Sequence, residues 1–195
     1  MYLRRAPVLL MLLFAAFGAG AGSPARADAL DGLLEVRSAY VSVEQGALQL
    51  FARVAYPVND DIRAALKDGL TLSFDLDVVV SRERRFWVDE TIFERTLHRQ
   101  LSYHAVSDRY LTRDLDAPGN EQHSYATLEE ALEALGTFEA LPIGTSLQLS
   151  PNRQYRVSLR AGIRRGRLSD TMRVLLFWTD DWHRESEWFS WSLQR

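Results

Sequence analysis

The sequence predicts a mainly β chain folded as an antiparallel β-sandwich, immunoglobulin-like or of a related Greek-key type, with two short helices. Three observations carry that expectation. Apolar residues recur with period two along most of the chain, the spacing of strands with one buried face. Helical spacing with a capping residue before it and a glycine after it appears only in two short runs. A leucine, a proline turn and a tyrosine that opens an alternating run, "LSPNRQYRVSL", form the pattern of a tyrosine corner, whose hydroxyl bonds to the backbone upstream. The helices do not alternate with single strands, which argues against a doubly wound or barrel α/β fold.

"EVRSAYVSV" and "ALQLFARVAY" flank Gln45-Gly46 and read as a hairpin. Leu48, Leu50, Ala52, Val54 and Tyr56 point one way; Gln49 and Arg53 point the other. "NDDIRAALKDG" reads as a helix capped by Asn59 or Asp60, with an apolar stripe of Ile62, Ala65 and Leu66 and a left-handed stop at Gly69. In "LTLSFDLDVVV", Leu70, Leu72, Phe74, Leu76, Val78 and Val80 share a face opposite Thr71, Ser73, Asp75 and Asp77. "ETIFERTLHRQLSYHAV" fits both periods. Its β-branched and aromatic residues, and the lack of a cap, favour a strand. "RYLTRDL" and "EQHSY" around Ala117-Pro118-Gly119-Asn120 read as a second hairpin. "TLEEALEALG" is the clearest helix: Thr127 and Glu130 make a capping box, Leu128, Ala131, Leu132 and Leu135 line one face, and Gly136 ends it. "TMRVLLFW" and "HRESEWFSWSL" read as the last two strands, joined through Thr179–Trp182.

The N-terminus sets an expected compartment. Arg4 and Arg5 precede the apolar run "APVLLMLLFAAFGAG", and "ARA" at Ala25–Ala27 presents small residues to a signal peptidase. Residues 1–27 are therefore expected to be a cleaved signal peptide and residues 28–195 one exported, periplasmic β-sandwich domain. No later stretch is apolar enough to span a bilayer, so no transmembrane span is expected after cleavage. The chain has no cysteine, which excludes a lipidated cysteine, disulfides and thiolate metal sites. Cleavage removes Arg4, Arg5 and Arg26 but no acid, leaving 20 basic residues against 26 acidic ones, a formal charge of −6. That balance argues against a nucleic-acid partner.

Five segments hold residues that suggest chemistry. "RQYRVSLRAGIRRGRLSDTMR" gathers Arg156, Arg160, Arg164, Arg165 and Arg167 with only Asp170 as an acid, a basic patch suited to an anionic envelope component or an acidic protein face. The bland reading is a solvated face balanced by acids from other strands. "SRERRFWVDET" places Phe86 and Trp87 in a charged loop, either a contact surface or a flap over one end of the sandwich. "DDWHRESEWFSW" sets Glu185, Glu187 and Trp188 close together. A glycosidase needs two carboxyl groups about 5–9.5 Å apart, but the consecutive polar residues here read more simply as a water-facing strand that discourages aggregation. Asp75 and Asp77 share a side, yet two carboxylates without further ligands make a poor cation site. His98 and His104 lie six residues apart, roughly 20 Å on an extended strand, too far for one metal. No catalytic motif appears: no G-x-S-x-G, H-E-x-x-H, phosphate loop or EF-hand. No catalytic residue, cofactor or metal is expected.

The segments "VRSAYV", "YPVNDDIRAALKDGLTLSFDLDV", "RRFWVDE", "LSYHAVSDRYL", "SYATLEEALEALG", "YRVSLRA" and "SEWFSWSL" together resemble the exported proteobacterial family called domain of unknown function 4390. They cover nearly the whole expected mature chain, in order. The resemblance supplies no catalytic residue or cofactor. It implies an envelope protein often encoded beside a membrane sensor histidine kinase and its response regulator. Together these readings lead to an expected non-enzymatic binding or accessory module for an envelope or inner-membrane protein such as a sensor histidine kinase, or for an anionic envelope component. The contact residues would be the five arginines and Trp87. The alternative is a glycan-binding or glycan-processing protein that uses Glu185, Glu187 and Trp188.

Overall fold

The computed structural model describes residues 32–84, 87–119, 121–145, 149–150, 153–165 and 183–193. β1 (Glu35–Glu44) and β2 (Ala47–Ala55) form the first hairpin, and Gln45 (φ 50°) and Gly46 (φ 82°) are both left-handed. Such a two-residue turn matches the twist of the strands it joins. β7 (Thr137–Thr145) pairs with the far side of β2, giving a three-stranded sheet in the order β1-β2-β7. The second sheet has the order β10 (Phe189–Leu193), β8 (Tyr155–Arg165), β3 (Leu72–Arg82), β4 (Glu90–His104), β5 (Arg109–Asp114) and β6 (Gln122–Tyr125). β9 (His183–Glu185) joins the edge of β8 ahead of β10. The first, second and seventh strands share one sheet, and β8 lies between β3 and the final strands in the other. This is the immunoglobulin-like order with an extended second sheet.

Alternation explains the core. Leu48, Leu50, Ala52, Val54 and Tyr56 of the first sheet meet Leu72, Phe74, Leu76, Val78 and Val80 of β3 and Tyr155, Val157, Leu159, Ala161 and Ile163 of β8. None is more than 7% exposed. The Tyr155 hydroxyl accepts the Ser150 N–H at 2.8 Å, so the tyrosine corner is present at the entry to β8.

The helices close gaps beside the sheets. In α1 (Asp60–Lys67) the Asn59 side chain accepts the Ile62 N–H at 2.8 Å. At its end Gly69 (φ 89°) and Leu70 donate to the carbonyls of Leu66 and Ala65, the paired bonds of a Schellman stop. α2 (Leu128–Gly136) opens with the Thr127–Glu130 capping box and buries Leu128, Ala131, Leu132 and Leu135. Arg99 of β4 finishes it. Its guanidinium donates to the carbonyls of Leu135 (2.7 Å) and Thr137 (2.9 Å), bonds Asp114 at 3.2 Å and lies 4.0 Å over the Phe138 ring. A cation there satisfies carbonyls that a helix C-terminus leaves open.

Three details differ from the sequence reading. Gly136 is the last helical residue and has no left-handed backbone. A Cβ on it would lie 2.1 Å from the Val54 carbonyl oxygen, so it is glycine because α2 touches β2 there. β7 has no counterpart among the expected strands. Pro142, a left-handed Ala140 (φ 50°) and register irregularities against β2 hide its alternation. "HRESEWFSWSL" is two strands, not one. Ser186 N–H donates to the Ala161 carbonyl at 2.8 Å while its hydroxyl accepts the Ala161 N–H at 3.0 Å, and this bulge separates β9 from β10. "TMRVLLFW" lies outside the described residues.

Replacing Gly136 by Ala should destabilise the protein by about 3 kcal/mol, since helix or strand must move. Tyr155→Phe should cost about 1–2 kcal/mol for the lost corner bond. Urea unfolding measures both; a Gly136→Ala loss below about 0.5 kcal/mol would mean that α2 does not pack so closely on β2.

Candidate functional site

The outward residues of β3 show what the long sheet offers to solvent. Asp77 accepts from both Arg160 (2.9 and 3.2 Å) and Thr96 (2.7 Å). Arg160 reaches on to Glu185 at 2.6 Å, and its guanidinium lies 4.7 Å over the Trp188 ring. Asp75 binds Arg164 at 2.5 Å and the His98 Nδ1 at 2.7 Å. The hydrogen bond to Asp75 raises the Arg164 guanidinium above its ordinary value, despite some desolvation. The two aspartates thus engage arginines of β8 on one side and Thr96 and His98 of β4 on the other, in a ladder that crosses four strands.

The arginines proposed from sequence do not form one free cluster. Arg156, Arg160 and Arg164 share the outer face of β8, each bound to a carboxylate: Glu83, Asp77 and Asp75. Arg165 pairs in register with Leu72, so it points toward the core side and is half-buried. Arg167 lies outside the described residues. Arg82 and Tyr155 are register partners, so Trp87 lies beyond one end of β8 and Arg164 near the other. At strand rise, Arg156 and Arg164 are roughly 26 Å apart. Trp87 therefore shares a surface with Arg156, and not with Arg164 or Arg165.

Trp87 does not fold over the sandwich. It is 81% exposed and its neighbour Val88 is 89% exposed, at the tip of the β3–β4 hairpin. The base of that hairpin is clamped. Glu90 accepts from both Arg82 and Arg84, the Arg84 N–H donates to Asp89 at 3.3 Å, and Glu83 N–H donates to the Gln154 carbonyl at 3.0 Å. Arg156 holds the Glu83 carboxylate at 2.7 Å. The result is an apolar tip on a braced, charged stem. Sequence identified Trp87, but the clamp was legible only in part, because Arg156 lies 73 residues from Glu83.

Glu185 is drawn to Arg160 and lies 3.4 Å from the His183 Nε2. The bulge at Ser186 breaks the alternation that would set Glu185 and Glu187 side by side. Trp188 is 47% exposed on the outer face, whereas Phe189, Trp191 and Leu193 continue the core side opposite Leu159, Val157 and Tyr155. His98 and His104 serve different partners, Asp75 and Ser107. Among the described residues, no group of three or more His, Asp or Glu is placed to hold a metal ion. Nor is any helix among them long and apolar enough to cross a membrane.

These features define an immunoglobulin-like sandwich with an ion-paired sheet face and an exposed aromatic hairpin tip. The chain belongs to the family described as a domain of unknown function (DUF4390), whose sequence profile matches residues 33–192. No curated protein and no solved structure matches it.

The clamp has a pH signature. Hydrogen bonds from Arg84, then Arg82, hold the Glu90 carboxyl below its ordinary value. A depressed carboxyl stabilises the fold at neutral pH, and that contribution is lost as pH falls through the depressed value. The side-chain carbon of Glu90, followed by NMR, should titrate with a midpoint below ~4.3. A midpoint at or above that value would show that the clamp is open in solution.

Proposed function

We propose that this chain is an exported, periplasmic accessory module without catalytic activity, which holds an envelope or inner-membrane protein by the β3–β4 hairpin tip. A membrane sensor kinase is the partner that the family resemblance favours. The observation that carries the reading is Trp87: a large aromatic, 81% exposed, on a stem fixed by ion pairs. Binding energy at protein interfaces concentrates in such aromatic anchors, and a rigid stem lowers the ordering cost of association. The arginine row supports a protein over a polyanion. Arg156, Arg160 and Arg164 face four carboxylates (Glu83, Asp77, Glu185 and Asp75), so the row carries no net positive charge to attract lipid or lipopolysaccharide.

Export is part of the same proposal and rests on "APVLLMLLFAAFGAG" and the "ARA" site. Mass spectrometry of the protein recovered from the periplasm should give an N-terminus at Asp28; an intact Met1 would replace the exported module with an anchored one.

The partner is tested by photo-cross-linking in living cells from position 88, followed by mass spectrometry. One membrane protein should dominate the capture. Trp87→Ala should reduce it by about tenfold or more, with unchanged circular dichroism. Reversal of the outward arginine alone, Arg164→Glu, should leave it standing with unchanged circular dichroism, because that position lies at the far end of β8. The opposite result, capture lost on reversal and kept in Trp87→Ala, would move the site to the arginines and an anionic ligand.

A further inference from the structure

β1 is the outermost strand of the three-stranded sheet, and among the described residues no strand pairs with its outer edge. The other described edges are blunted. β6 has 4 residues, β10 follows the Ser186 bulge, and β7 carries Pro142 and the left-handed Ala140. β1 instead runs for 10 residues without proline, and its one register shift, between Val36 and Ser38, precedes a regular stretch from Ser38 to Glu44. Ser38–Val43 carries no charge, and Tyr40 and Val43 are 58% and 56% exposed. A long uncharged edge offers a row of backbone donors and acceptors whose natural complement is another strand.

The sequence of β1 indicates which strand. Ser38-Ala39-Tyr40-Val41-Ser42 reads nearly the same in both directions. Antiparallel pairing of two copies about Tyr40 sets Tyr40 against Tyr40, Ala39 against Val41 and Ser38 against Ser42. The faces agree. Tyr40 and Ser42 pair within the sheet with the outward Phe51 and Gln49, while Ala39 and Val41 pair with the inward Ala52 and Leu50. Tyr40 already stacks flat on Phe51, with centroids 4.8 Å apart and ring planes within 4°. A second copy would extend that stack across the new seam. Ser42 has its hydroxyl oxygen buried with no hydrogen-bond partner among the described residues. Opposite Ser38 of a second copy it gains the kind of cross-strand serine pair that Ser158 and Ser190 make at 2.8 Å.

We infer that two copies of this chain associate through their β1 edges about a two-fold axis at Tyr40, joining the two three-stranded sheets into one. Such an isologous contact is self-complementary and closed. It uses neither the hairpin tip nor the partner assigned to it.

Because the chain has no cysteine, Tyr40→Cys places a single thiol on the axis. Directly opposed strand residues have Cα atoms about 4.5–5.5 Å apart, within disulfide reach. Under mild oxidation this variant should form a covalent dimer at least about tenfold faster than Val106→Cys, an exposed turn control. Ser38→Cys and Ser42→Cys should cross-link to each other faster than either does to itself. Sedimentation of the unmodified protein should show its mass doubling as concentration rises. Tyr40→Lys should abolish the doubling with unchanged circular dichroism. A monomer at every concentration, a dimer that survives Tyr40→Lys, or Tyr40→Cys oxidising no faster than the control would each overturn the inference.

Discussion

The structure depends on β3 staying dry on one face and wet on the other. β3 lies between β4 and β8, and its inward Leu72, Phe74, Leu76, Val78 and Val80 are at most 2% exposed. Burying a large apolar side chain is worth about 1.5–3 kcal/mol. An exposed ion pair is worth about 0–1 kcal/mol. The dry face therefore sets the register. A slip of one residue would drive Asp75 and Asp77 into the core, where unpaired charge costs several kcal/mol. The ladder of Asp75, Asp77, Arg160 and Arg164 follows from that register and does not create it.

This hierarchy explains what was legible in the sequence. Alternation is a local signal, and it marked β1 to β6 and β8 as strands and set the faces of β2 and β3. Caps are local too, so Asn59, Gly69 and the Thr127–Glu130 box could be read directly. The tyrosine corner joins residues only five apart, Ser150 and Tyr155, and was legible for the same reason. β7 was not, because Pro142 and Ala140 erase the period that marks a strand. The reason for Gly136 was not, since the Val54 carbonyl it accommodates comes from a distant strand.

The candidate site divides the same way. Sequence brought out Trp87 and the arginines as residue types. It could not say that Arg160 and Arg164 meet acids 83 and 89 residues away. A basic stretch along one strand thus becomes a face without net positive charge once its neighbours are in place. Nor could it separate the two fates of an aromatic loop, folded inward or held out, because both have the same composition. What holds Trp87 out is the clamp on its stem, and half of that clamp arrives from β8.

The two unpartnered apolar features lie on different sheets: the hairpin tip on the long sheet, the β1 edge on the short one. A contact at one therefore leaves the other open. A pair of chains joined at Tyr40 carries two Trp87 tips, each tied to the seam by the packing of its long sheet on its short one. If both tips meet a dimeric partner, the second contact is made at high effective concentration, so that two weak anchors hold far more tightly than one. The same geometry makes each contact dispensable for the other. Loss of dimerisation would weaken capture of a dimeric partner without touching the tip, whereas loss of Trp87 would leave the dimer whole.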